Sequence, residues 1–153
     1  MLILNDMKKR ADVCLTHAKA MLTRDGLLAP VVIPYNLEGE PQLPVALQLT
    51  CDADRKAIPD ILWELSLTSS YLIVILQGRY KESEDGLCDV SDLDNDQDAT
   101  DTLLVAVYGR GCTSVKPILF KREGKGMPAF IDRGWCDFNE GGVAGFFRNP
   151  FIN

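Results

Sequence analysis

Tyr71-Leu72-Ile73-Val74-Ile75-Leu76-Gln77 contains an uninterrupted apolar run of six residues, Tyr71 to Leu76, a length that no other apolar run of the chain exceeds. A strand with one wet face alternates apolar and polar residues, whereas an unbroken run of this length reads as a strand covered on both faces. Roughly 18 apolar residues are needed to span a bilayer, so the run is far too short for that role. It predicts the central strand of a sheet, and the rest of the chain is arranged around it.

Upstream, residues 53–67 read as a helix with Ile58, Ile61, Leu62 and Leu65 on one face and Trp63 on its flank. Asp52 or Asp54 is its expected cap. Pro59 interrupts the pattern, because an interior proline removes a helical hydrogen bond and crowds the preceding turn. The expectation is therefore an irregular first turn or a start near Pro59. Before this helix, residues 29–35 and 43–49 form the arms of a hairpin around Asn36-Leu37-Glu38-Gly39-Glu40. Pro30 and Pro34 cannot donate to a ladder, which favours an edge position for the first arm. At the N-terminus, residues 6–24 carry Met7, Ala11, Cys14, Leu15, Ala18, Met21 and Leu22 at three- and four-residue spacing. That period predicts an amphipathic helix, capped by Asn5 or Asp6 and ended at Gly26.

Downstream the chain changes character. Nine of its 22 acidic residues lie between Glu82 and Asp101, a stretch without Lys or Arg. The whole chain carries a net charge of −6, so the acidity is local to an otherwise near-neutral protein. Residues 102–108 and 115–121 then read as two strands joined by Gly109-Arg110-Gly111-Cys112, and residues 129–131 as a short last strand. The segment 80–101 joins two strands where a hairpin needs a handful of residues, and it is expected to be a mobile acidic loop. Residues 132–153 form a glycine- and aromatic-rich tail without a clear period.

The order α-β-β-α-β-(acidic loop)-β-β predicts an α+β fold: two helices packed on a mainly antiparallel sheet of five to six strands. At 153 residues a single domain is expected. The hydrophobic share of 46% and charged share of 25% are those of a soluble globular protein. Met1-Leu2-Ile3-Leu4 is followed directly by Asn5 and Asp6, with the basic residues behind, the reverse of a secretory signal. The five cysteines are odd in number and scattered, as expected of free thiols in the cytoplasm. With one histidine and no paired cysteine spacing, neither a metal nor another cofactor is expected.

Several constellations invite chemistry and fail on spacing. Asp92, Asp94, Asp96 and Asp98 resemble a calcium loop, but the EF-hand frame from Asp92 puts Gln97 at the glycine position and Leu103 at the bidentate acid. Starting at Asp94 substitutes Ala99 and Val105. Gly109-x-Gly111 lacks the third glycine and precedes a strand, so no helix N-terminus follows to hold a phosphate. His17 falls on the polar side of the first helix, and no G-x-S-x-G elbow exists to partner it. Lys121-Arg122 and Lys125 make a solvated turn rather than a basic face, so no nucleic-acid partner is expected. Neither is a membrane.

The span from Ala18 to Arg122 resembles small α+β proteins of bacterial and phage genomes. The features that carry the resemblance are Asp25-Gly26-x-x-Ala29-Pro30 opening the hairpin and Asp101-Thr102-Leu103-Leu104-Val105 opening the later strand pair. It brings no catalytic motif with it.

The expected function is that of a non-catalytic protein-interaction module, forming a homo-oligomer or binding another protein through its sheet edge or tail. Trp135, Phe146, Phe147 and Phe151 are the candidate contact residues, since each aromatic buries about 150–250 Å² when packed. One alternative is a hydrolase-type or ligand-binding enzyme whose pocket comes from Asp132, Arg133, Cys136 and Asp137. Arg133 is there the sequence-local cation near the Cys136 thiol. A second alternative is an acidic inhibitor or immunity-type protein that occupies a basic site.

Overall fold

The computed structural model describes residues 4–25, 30–47, 52–80, 100–121, 129–132, 134–138 and 149–151. Its elements run α1 (Leu4–Asp25), β1 (Val31–Tyr35), β2 (Val45–Ala46), α2 (Asp52–Ser66), β3 (Tyr71–Tyr80), β4 (Thr100–Gly109), β5 (Cys112–Lys121), β6 (Ala129–Asp132) and β7 (Cys136–Phe138). The fold is α+β, with all strand pairs antiparallel and the spatial order β2-β1-β3-β4-β5-β6. A seventh strand, β7, also pairs with β5.

The apolar run behaves as its composition dictates. β3 pairs with β1 on one side and β4 on the other, and every residue from Tyr71 to Leu76 is buried. Alternation sends Tyr71, Ile73 and Ile75 into a core beneath α1, while Leu72, Val74 and Leu76 enter a second core beneath α2. One helix therefore covers each face of the sheet. Each fully buried aliphatic side chain contributes roughly 1.5–3 kcal/mol, so this strand alone anchors both cores.

α1 presents Met7, Ala11, Leu15, Ala18 and Leu22 to the first core. α2 presents Ile58 and Leu62 to the second, with Trp63 half exposed on its flank. α2 begins at Asp52 and continues through Pro59, so neither the irregular turn nor the later start describes it. Pro59 faces solvent, where water can satisfy the carbonyl that its missing N–H leaves free.

β1 lies one position in from the edge, where an edge position was expected. β2 covers it over residues 45–46 of the expected 43–49, of which residues 48 and 49 lie outside the described residues. Within a strand a residue's N–H and C=O point to the same side. The Pro34 carbonyl accepts from Gln42 N at 2.8 Å on the outer side, so the donor that Pro34 lacks belongs to the lightly paired side. The proline is tolerated there for the reason that suggested an edge.

On the far side, β5 carries two short partners along one edge: β6 opposite residues 118–121 and β7 opposite residues 113–115. Between them Gly134 takes φ 79°, and its N–H donates to Asp132 Oδ1 at 2.7 Å. β7 lies within the tail that showed no period, which raises the strand count above the expected five to six. Further along, Asn149 is 1% exposed. Its Nδ2 donates to Gly109 O, Cys112 O and Thr113 Oγ1, each at 2.9 Å, and its Oδ1 accepts from Phe151 N at 2.9 Å. One amide thus ties the end of the chain to the β4–β5 turn.

Residues 80, 100 and 101 of the expected acidic loop belong instead to β3 and β4, where Tyr80 and Thr100 face each other and the ladder extends the strands beyond the apolar run. Residues 81–99 lie outside the described residues, as do residues 139–148 of the tail.

Candidate functional site: the two flanks of helix α1

A helix with its side chains is about 10–12 Å across, while strands lie about 4.8 Å apart. A sheet six strands wide therefore extends beyond a single helix on both sides, and what covers the remainder differs between the two flanks of α1.

Towards β5, β6 and β7 the gap is filled by charge. Lys116 Nζ, from β5, reaches Asp12 Oδ1 of α1 at 3.0 Å and Asp132 Oδ2 at 2.8 Å. Lys8 Nζ bonds Asp137 Oδ1 at 2.8 Å, and the Ser114 hydroxyl donates to the same oxygen at 2.5 Å. The Trp135 ring lies against both ammonium groups, with Lys8 Nζ 5.8 Å and Lys116 Nζ 5.5 Å from its centroid. Lys19 sits 5.4 Å from the Phe130 centroid, extending the cover to β6. Burial acts to lower the Lys116 pKa, but hydrogen bonds to Asp132 and Asp12 outweigh it and raise the pKa. Burial likewise acts against Asp132, yet Lys116 and the Gly134 N–H hold its carboxyl below the ordinary value. Asp137 is held down by its bonds to Lys8 and Ser114.

These couplings define what the cluster can do. A lysine clamped by two carboxylates stays protonated and is no general base, and carboxylates held below their ordinary pKa are weak proton acceptors. The Ser114 side chain is fully buried. The arrangement fastens the edge strands to α1.

The residues singled out from sequence separate here. Asp132, Trp135 and Asp137 meet in this cluster. Cys136 points to the other face of β7, since Asp137 opposes Ser114 and Cys136 opposes Val115 of the second core. Arg133, Phe146 and Phe147 lie outside the described residues. Phe151 packs half-buried against the core beneath α2 and Trp135 against the core beneath α1. Both rings are therefore largely committed to their own chain. Burial pushes the Cys14 and Cys112 thiols up, away from reactivity.

The opposite flank is open and apolar. Cys14, His17 and Met21 of α1 face Ile33 of β1 and Pro44 and Ala46 around β2 across a groove of about 380 Å³. Arg10 crosses to the β1–β2 turn at one end of this flank, where it lies 5.6 Å from the Tyr35 centroid, but none of the described residues that line the groove is a lysine or arginine. Beside it Leu43 is 87% exposed, and Met21 on its α1 wall is 39% exposed. Sequence reasoning missed this groove, although the helical stripe contained the signal. Seven apolar positions make a stripe wider than one contact line, and Cys14 and Met21 at its margin are the two that stay incompletely buried.

Among the described residues no helix is long and apolar enough to cross a membrane. Compared with protein families, curated proteins and solved structures, the chain matches none.

Proposed function

We propose that the protein is a non-catalytic interaction module that pairs with a second copy of itself through the open flank of α1. The observation that carries this reading is the conjunction of a groove and a projection on one surface. A two-fold dimer needs a self-complementary patch, each copy supplying both knob and hole. Leu43 projects almost fully exposed beside Pro44, which lines the groove. A two-fold axis through this surface places each Leu43 in the groove of the other copy and covers Met21 of both. Burying one leucine in each groove is worth roughly 1.5–3 kcal/mol per side.

The non-catalytic part rests on the cluster around Lys116, where the groups able to move protons are consumed in holding strands together. The thiols of Cys14, Cys112 and Cys136 are free, which suits a reducing, cytoplasmic setting.

Sedimentation velocity between about 5 and 500 µM, a range that brackets Kd values in the micromolar range, tests the pairing. Leu43→Asp should leave the melting temperature unchanged, because the side chain is exposed, and shift the species to monomer. A wild-type chain that stays monomeric throughout, or a dimer indifferent to Leu43→Asp, overturns the proposal.

A further inference from the structure

A second concavity lies at the end of the sheet where the β1–β2 and β4–β5 turns emerge. It encloses about 480 Å³, within the range of small-ligand sites. Leu4 and Met7 of α1 and Leu37 line it with carbon, Tyr71 is at its floor, and Glu38 and Arg110 stand on the two turns. Neither charged side chain has an ion-pair or hydrogen-bond partner among the described residues.

Both turns are clamped from elsewhere in the fold. Asn36 Oδ1 accepts from the N–H groups of Glu38 and Glu40 at 3.0 and 2.9 Å, Gly39 takes φ 81°, and Arg10 Nη1 donates to the Gly39 carbonyl. The same nitrogen donates to Tyr71 OH at 3.0 Å, which fixes that turn to the floor. The β4–β5 turn is two residues, Arg110 and Gly111, with Gly111 at φ 72° and Asn149 bonding the carbonyls on either side. Two opposite charges are thus carried on pre-set backbones, on turns centred three strand spacings or about 14 Å apart, with an apolar surface between them. Such a pair does not neutralise itself. A ligand carrying both charges on an apolar body would satisfy both at once.

We propose that this cleft binds a short zwitterionic apolar peptide, two residues long. Its carboxylate is held by Arg110, its free amino group by Glu38, and its side chains rest on Leu4, Met7 and Leu37. Two extended residues separate the terminal charges by about 7 Å, and the reach of the two side chains covers the rest of the gap. A guanidinium suits a carboxylate because its forked donors meet both oxygens. The site is distinct from the groove on the α1 flank and does not depend on dimerisation.

Titration calorimetry with leucyl-leucine on the full chain is the test, with its N-acetyl form, its amide form and free leucine as comparison ligands. Leucyl-leucine is expected to bind, and each blocked form to bind at least about 10-fold more weakly, since each lacks one charge-assisted contact. Arg110→Gln should weaken leucyl-leucine by a similar factor and leave the amide form unaffected. Glu38→Gln should do the same and spare the N-acetyl form. Both residues are exposed, so circular dichroism of the variants should match wild type. No heat with leucyl-leucine, equal binding of the blocked forms, or equal binding of free leucine overturns the proposal.

Discussion

Lys116 reports how much one residue can organise. It sits on β5 among residues that face the core beneath α1, where a lysine is costly unless paired. The pairing comes from three elements: Asp12 from α1, Asp132 from β6, and the Trp135 ring between β6 and β7. Nothing in the local sequence Ser114-Val115-Lys116-Pro117 announces this, because each partner is distant along the chain. The pH consequences follow from the directions of the shifts. Asp132 and Asp137 are held below their ordinary value of 3.8, so their stabilisation is complete above that pH and is lost as pH falls through the depressed values. Lys116 is held above 10.5, so its share is complete below that pH and is lost as pH rises through the raised value. Both carboxylates are about half exposed, and solvent screening keeps each contribution small. The urea midpoint should therefore be flat from about pH 5 to 10 and fall outside that window at both ends. Lys116→Met should remove most of the alkaline fall and lessen the acid one, leaving Lys8–Asp137 to carry the remainder. Urea titrations at pH 3, 7 and 11 measure all three limbs.

At the scale of elements, legibility followed burial. β3 was readable because a strand buried on both faces writes its position into every residue. α1 was readable because a long helix repeats its period many times. β7 was not, since its three residues carry no period, and its place is fixed by Thr113, Ser114 and Val115 of β5, far away in sequence. β2 is short within the described residues for a related reason: Pro44 lies just before it, and opposite Leu47 stands Pro30, which accepts from Leu47 N but has no N–H to return. The open groove was half legible. The apolar stripe of α1 showed more carbon than one helix can bury, but which margin stays uncovered depends on where Lys8, Lys19 and Arg10 reach once the sheet is in place. α2 yields the test at this scale. An interior helical proline costs about 3 kcal/mol, while its rigidity returns roughly 0.4–1 kcal/mol through the unfolded chain. Pro59→Ala, at an exposed position, should therefore stabilise the protein by about 2 kcal/mol. A higher urea midpoint with an unchanged slope would register the gain, and no gain would mean that the α2 backbone already accommodates the ring without strain.

For the whole molecule, the acidic segment is a matter of charge rather than of fold. Tyr80 and Thr100 are direct partners across β3 and β4, and the ladder between these strands is continuous from there to the other end. A two-residue Asn-Gly turn is the natural closure for such a register. Replacing residues 81–99 with Asn-Gly should leave the far-ultraviolet circular dichroism and the melting temperature close to wild type, because no described contact of either core is lost. The net charge would move from −6 to +1. Two copies of the wild-type chain repel each other, and that repulsion is screened over about 10 Å at 0.1 M salt. If pairing occurs through the α1 flank, wild-type association should tighten several-fold between 20 and 500 mM salt, while the near-neutral variant should associate more tightly at low salt and respond little to added salt. Sedimentation of both proteins at two salt concentrations separates these terms. Equal salt dependence would mean that the acidic segment exerts no repulsion across the interface, and its charge would then have to act on some other partner.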